Sequence, residues 1–211
     1  MLETKKCEFL NIDKDFDNSV QKAKKLYLEG SVFIYPTDTI YGFGANPFNE
    51  DVVEKINKIK GRDLHKRHIL LIGSIENLHK YIEVKSETHF DFLLSIWPNP
   101  VSVVLSLNQQ TKKILKVDTA AFRIPNHRFC QKLLQELQMP LISTSVNRAD
   151  ETPIVEPSII KDEFSNEVDA IFYNDRKTYI GASTLIDLSN SEPKLLREGK
   201  LKFEDILKKF K

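Results

Sequence analysis

Residues 32–44, VFIYPTDTIYGFG, constrain the architecture more than any other stretch. The run VFIY reads as a buried strand, and Pro36 has to stand at its end because proline cannot donate into a ladder. Three small polar side chains follow, Thr37, Asp38 and Thr39, before the apolar pattern resumes through Gly42 and Gly44. The plain reading is a tight strand–turn–strand corner, with hydroxyls and carboxylate satisfying turn amides. The functional reading sets those groups at the mouth of the core, with the glycines admitting another group close to the backbone.

Around this stretch the chain alternates helical and strand patterns, which predicts an α/β fold: one domain over 1–211, a twisted mixed sheet with flanking helices. Residues 15–29 predict a helix with Phe16, Val20, Ala23, Leu26 and Tyr27 at helical spacing and Gly30 as its stop. A second helix starts at Asn49 or Glu50, carries Val52, Val53, Ile56 and Ile59 as its stripe, and ends at Gly61 in a left-handed cap. Further helices fit 87–96, 128–137 and 203–210. Strands fit 32–35, 68–73, 101–107, 120–124, 141–145, 170–173, 183–187 and 194–197. Trp97-Pro98-Asn99-Pro100 is a rigid connector, and 148–166 reads as mostly loop with some helix.

Charge excludes some functions. The 211 residues hold 31 Lys+Arg against 30 Asp+Glu, a formal net charge of +1, so no strong global field draws nucleic acid or anionic membrane. Cys7 and Cys130 form no disulfide framework and lack metal-ligand spacing, and the five histidines form no H-x-x-x-H cluster. A protein-bound transition metal is therefore not expected. With no apolar segment long enough for a signal peptide or a membrane span, the expected compartment is the cytosol.

Two further clusters carry chemistry. Lys58, Lys60, Arg62, Lys66 and Arg67 face only Asp63 within their window, which suits a polyphosphate better than a helix end alone. In LISTSVN, strand alternation puts Ser143, Ser145 and Asn147 in one polar row, opposite Ile142, Thr144 and Val146. The same alternation in AAFRIP sets Arg123 opposite Phe122 and Ile124. Together these describe a polar, small and cationic floor.

The blocks YPTDTIYGFG, Lys60-Gly61-Arg62, WPNPVSVVL, AAFRIPNH, STSVN, STLID and LLREG follow one another in an order that resembles the YrdC-like domain of threonylcarbamoyl-AMP synthases. The likeness runs from roughly residue 20 to roughly residue 200, and the chain looks like the short form without a further C-terminal domain. The resemblance implies a twisted α/β sheet with a concave basic groove. It also implies a reaction: L-threonine, bicarbonate or CO₂, and ATP give L-threonylcarbamoyl-AMP and pyrophosphate. Partner proteins then pass the threonylcarbamoyl group to a tRNA adenosine. By motif position the tetrad falls on Lys60, Arg62, Ser145 and Asn147. Threonine is matched to Thr39, Arg123, Ser143 and Ser183, and ATP to Arg62, Lys66, Thr119, Ser145 and Arg197, with Mg²⁺ carried on the phosphates. Under this reading the hydroxyls and glycines of 37–44 let amino acid and nucleotide lie against backbone, and 148–166 or 62–68 are candidate lids.

The chain departs from the family pattern in places. Asp63 stands where proline usually follows K-x-R, and Arg67-His68 replaces a Pro-Leu or Gly-Leu pair. A histidine that some relatives place near threonine aligns with Leu71, and Arg148-Ala149-Asp150 replaces Leu-Ser-Gly. The alternatives are an RNA-binding module built on the same groove, with weak tRNA binding, or a carbamoyl-transferring paralogue without threonine activity. The near-zero charge and the retained K-x-R count against them.

Overall fold

A computed structural model describes residues 6–61, 68–83, 86–175 and 181–210. The elements begin β1 (Glu8–Asn11), α1 (Phe16–Leu28), β2 (Phe33–Tyr35), β3 (Gly42–Gly44), α2 (Glu50–Lys60) and β4 (Ile69–Leu71). Next come α3 (Ile75–Leu78), α4 (Glu87–Ile96), β5 (Val101–Ser106), α5 (Gln109–Leu115), β6 (Thr119–Arg123) and α6 (Arg128–Leu137). The chain closes with β7 (Leu141–Ser145), α7 (Pro157–Phe164), β8 (Ala170–Tyr173), β9 (Thr184–Asp187), β10 (Lys194–Arg197) and α8 (Phe203–Leu207).

The strands join in the order β1-β8-β2-β3-β7-β4-β6-β5-β9-β10. Parallel and antiparallel neighbours mix: β2 pairs with β8 in parallel, while β7 lies antiparallel to both β3 and β4. Alternation along each strand sorts the core into two layers. Phe33, Tyr35, Leu71, Leu141 and Phe172 point to one face, where Val20, Ala23 and Leu26 of α1 and Leu133, Leu134 and Leu137 of α6 cover them. Ile34, Phe43, Leu70, Phe122 and Ile142 point to the other, against Val52, Ile56 and Ile59 of α2, Phe92 and Ile96 of α4, Phe164 of α7 and Ile206 of α8. Each fully buried side chain of this kind stabilises by about 1.5–3 kcal/mol.

Local signals explain the element ends. Asn49 caps α2 by accepting a hydrogen bond from Val52 N, and Gly61 ends it in the left-handed region at φ 60°. The first helix and α6 match their expected spans closely, whereas α8 stops at Leu207, short of Phe210. β1, α3 and α5 have no counterpart in the sequence pattern, and β3 is the second strand of the expected corner.

The two glycines divide the role expected of them. A Cβ on Gly44 would sit 2.6 Å from a Phe33 ring carbon and 2.7 Å from one of Tyr35, so this glycine serves core packing and not a ligand. A Cβ on Gly42 would press on Ser143 Oγ at 3.0 Å, so that glycine clears space beside the polar row.

Candidate active site

On β7, Leu141, Ser143 and Ser145 share one face. Leu141 packs into the layer covered by α1 and α6, while the two serines line a cavity of about 350 Å³. Neighbouring strands extend the same face: Ile69 from β4, Ala121 and Arg123 from β6, Val104 from β5, Ser183 and Leu185 from the start of β9, and Arg197 from β10. Thr39, Ile40 and Tyr41 reach in from the corner after Pro36. Strand alternation is therefore what delivers one polar side chain after another to this floor.

Arg123 dominates the cavity. It is 3% exposed, and its Nη1 donates to Thr39 Oγ1 at 3.0 Å and lies 3.3 Å from Asp38 Oδ1. The hydroxyls behind it are ordered. Thr37 Oγ1 donates to Ile40 O at 2.7 Å, so across the 2.9 Å contact it is Thr39 that donates to Thr37. That leaves Thr39 Oγ1 a lone pair for Arg123. Asp38 Oδ2 accepts from Asn126 N at 3.1 Å, but Asp38 Oδ1 and Arg123 Nε make no hydrogen bond. A buried guanidinium with an unmet donor calls for an anion.

Arg197 stands at the rim with Nη2 on Ser183 O at 3.0 Å. Much of its side chain is exposed, yet partial burial first, and the charge of Arg123 second, lower its pKa from the ordinary value. Two guanidinium groups close enough to repel each other make the cavity a positive one. Ser183 Oγ is also 2.9 Å from Ser102 Oγ, which is fully buried on β5.

Lys60 behaves differently from expectation. At 3% exposure its ammonium donates to Ser145 O at 2.6 Å, to Asn147 O at 3.0 Å and to Asn147 Oδ1 at 2.7 Å, and it lies 5.6 Å from the Phe43 ring centroid. Asn147 Oδ1 also accepts from Ser145 Oγ at 2.7 Å, and Asn147 Nδ2 donates to Glu151 O at 2.6 Å. Burying an ammonium requires that its donors be met. Here the oxygens of 145–147 meet them, so Lys60 acts on the cavity through the residues it holds.

Of the expected site residues, Thr39, Arg123, Ser143, Ser145, Ser183 and Arg197 converge on the one cavity. Lys60 and Asn147 join it through Ser145. Thr119 shares a face of β6 with Ala121 and Arg123 but stands outside the lining. Arg62 and Lys66 lie outside the described residues. Lys58, counted in the basic patch, pairs with Glu54 at 2.8 Å. Leu71 is buried in the α1/α6 layer, while His68 lines the cavity. The expected lid 148–166 is tied down at its start: Ala149 N donates to Lys60 O at 2.6 Å and Ile154 N to Val146 O at 2.8 Å. Ser102 escaped the sequence reading, although Val101, Val103 and Leu105 point to the core and so set it on the site face. A second cavity of about 550 Å³ lies behind the same corner, among Tyr41, Glu156, Lys161, Asp162 and Asn174. Its charges are mixed, unlike the first cavity, which Arg123 and Arg197 line without a described carboxylate. Among the described residues no group of three or more His, Cys, Asp or Glu is placed to hold a metal, and no helix is long and apolar enough to cross a membrane.

The family model Sua5_yciO_yrdC, described as "Telomere recombination", matches residues 25–199. The chain belongs to this family. Among Sua5/YciO/YrdC proteins, it is 31% identical over 183 residues to the threonylcarbamoyl-AMP synthase of Pyrococcus abyssi, covering 85% of this chain and 54% of that protein. The chain thus spans about half the length of that curated relative. The structure of P. abyssi Sua5 complexed with L-threonine superposes with a TM-score of 0.86 at 28% identity, over 96% of this chain and 60% of that one. Escherichia coli YciO shares the fold end to end, with a TM-score of 0.80 at 24% identity, covering 96% and 98% of the two chains.

Proposed function

We propose that this chain is an L-threonylcarbamoyl-AMP synthase. The observation that carries the reading is Arg123: a buried guanidinium with an unmet donor, flanked by the hydroxyls of Thr39, Ser143 and Ser183, in a cavity sized for a small ligand. The threonine carboxylate pairs with Arg123, and its hydroxyl meets Thr39 or Ser183. The threonine amine attacks CO₂, or CO₂ released from bicarbonate, forms a C–N bond and gives up a proton, leaving N-carboxythreonine. A carbamate oxygen then attacks the α-phosphorus of ATP and pyrophosphate leaves. ATP arrives as its Mg²⁺ complex, with the ion on the phosphates.

The protein's contribution is placement and charge stabilisation, since neither a Ser-His-Asp set nor an activated cysteine is present among the described residues. Burial pushes the Cys130 thiol well above its usual pKa, which makes it a poor nucleophile. Arg197, together with Arg62 and Lys66, is assigned to the nucleotide, and Ser145, fixed by its hydrogen bond to Asn147, shapes the wall beside the reacting carboxylate. The product goes to tRNA-modifying partner proteins.

The test is pyrophosphate release with ATP, Mg²⁺ and bicarbonate, comparing threonine, serine, valine and no amino acid. Threonine should be fastest. Serine, lacking one methyl, should be slower by roughly 10- to 200-fold, and valine, lacking the hydroxyl, by more. Release that ignores the amino acid would defeat the proposal, and salt-dependent RNA binding without turnover would favour the RNA-binding alternative.

A further inference from the structure

We infer that Arg148 is a positioning residue for Lys60, held in place by Glu163 and Glu167. Its consequence for turnover rests on the synthase reading above. The last carbonyls of a helix lack partners within it. At the end of α2, Arg148 Nη1 donates to Ile59 O, and Ala149 N donates to Lys60 O at 2.6 Å. Residues 148–149 thus form an external cap on the turn that carries the lysine. The rest of the guanidinium is fixed from α7 and the turn after it: Nη1 and Nη2 donate to Glu167 at 3.2 and 2.5 Å, and Nε lies 3.3 Å from Glu163 Oε1.

Aromatic contacts close the loop. The guanidinium lies 4.5 Å from the Phe164 ring centroid, Phe164 meets Phe43 edge-on at 5.2 Å, and the Lys60 ammonium sits over Phe43. One short segment, 145–149, therefore grips Lys60 at both ends. Ser145 and Asn147 hold its ammonium, Ala149 holds its carbonyl, and Arg148 holds the carbonyl of Ile59 just before it. A leucine at this position would have no donor for Ile59 O. Arg148 instead couples α2, α7 and the polar row.

A mainly structural role predicts a different pattern. Partly exposed ion pairs stabilise little, so Arg148→Leu should lower Tm by only a few degrees. Misplacing a supporting group by an ångström costs on the order of 10²-fold in rate. The experiment is competitive acetylation of the substrate-free protein, read by mass spectrometry at Lys60 against Lys22 and Lys132, alongside steady-state kinetics. In Arg148→Leu, Lys60 should label on the order of tenfold faster than in the parent as its last turn opens locally. In the same variant, kcat should fall on the order of 10²-fold with the threonine KM within about twofold. Arg148→Lys should recover part of both, and the Glu163→Gln/Glu167→Gln double variant should move both in the direction of Arg148→Leu. Unchanged Lys60 labelling in folded Arg148→Leu overturns the inference. If that variant does not fold, unchanged labelling in the double variant overturns it equally. A parent protein without turnover refutes the synthase reading alone, and the labelling still judges Arg148.

Discussion

Replacing Arg123 by glutamine separates what this residue does for the fold from what it does for a ligand. Asp38 is buried beside it, and removing one partner of a buried pair costs about 3–5 kcal/mol because the other charge is stranded. For a chain of this length that lowers Tm by about 6–20 °C. The lost contact to a threonine carboxylate costs about 2–5 kcal/mol, a loss of between roughly thirtyfold and several-thousandfold in affinity. Asp38→Asn/Arg123→Gln removes the stranded charge as well, so part of the stability should return, by about 0.5–3 kcal/mol of coupling, while affinity stays low. Scanning fluorimetry and titration calorimetry with L-threonine read the two quantities separately. Wild-type affinity in Arg123→Gln, or affinity recovered in the double variant, would show that Arg123 holds Asp38 and not the substrate.

Lys60→Met keeps the stem over Phe43 and removes the ammonium from three oxygens. It should cost at least about 3 kcal/mol, and combined with Asn147→Ala it should cost less than the sum of the two. Strict additivity in chemical denaturation would contradict a shared network. Gly199→Ala would place a Cβ 2.3 Å from Ala182 O and 2.4 Å from the Ser183 carbonyl carbon. The backbone under Ser183 has to move, so Tm should fall and the threonine KM of the folded variant should rise by about tenfold or more, and an unchanged KM would remove Ser183 from the threonine subsite. Burial holds His127 below its ordinary pKa of 6.5, against the opposing charges of Asp38 and Asp13. The unfolded chain therefore takes up this proton first: the contribution is intact above 6.5 and is lost as pH falls toward the folded value. Tm measured from about pH 7.5 to about pH 5.5 should drop more in the parent than in His127→Gln, and equal drops would contradict that sign.

Much of this site was legible because it is written in strand parity. Ser143 and Ser145 against Ile142 and Thr144, and Arg123 against Phe122, lie as alternation requires. The cap residues Asn49 and Gly61 also marked the helix that presents Lys60. What stayed hidden depends on contacts distant in sequence. The strand β1 has only four residues and gains its partner, β8, from near residue 170. The strand after the corner has no bounds in the sequence, because β3 owes its place to pairing with both β2 and β7, where Gly44 makes room for the rings opposite it. Composition placed Lys60 among phosphate-binding cations, and only packing shows its ammonium against 145–147.

The most direct measurement is mass spectrometry of the purified protein with ATP, Mg²⁺, ¹³C-bicarbonate and one amino acid at a time. With threonine, an adenylate that carries the labelled carbon should form, absent when threonine or ATP is left out. An adduct that forms equally with unrelated amino acids, or that lacks the label, would contradict the assignment of this cavity to threonine and its carbamate.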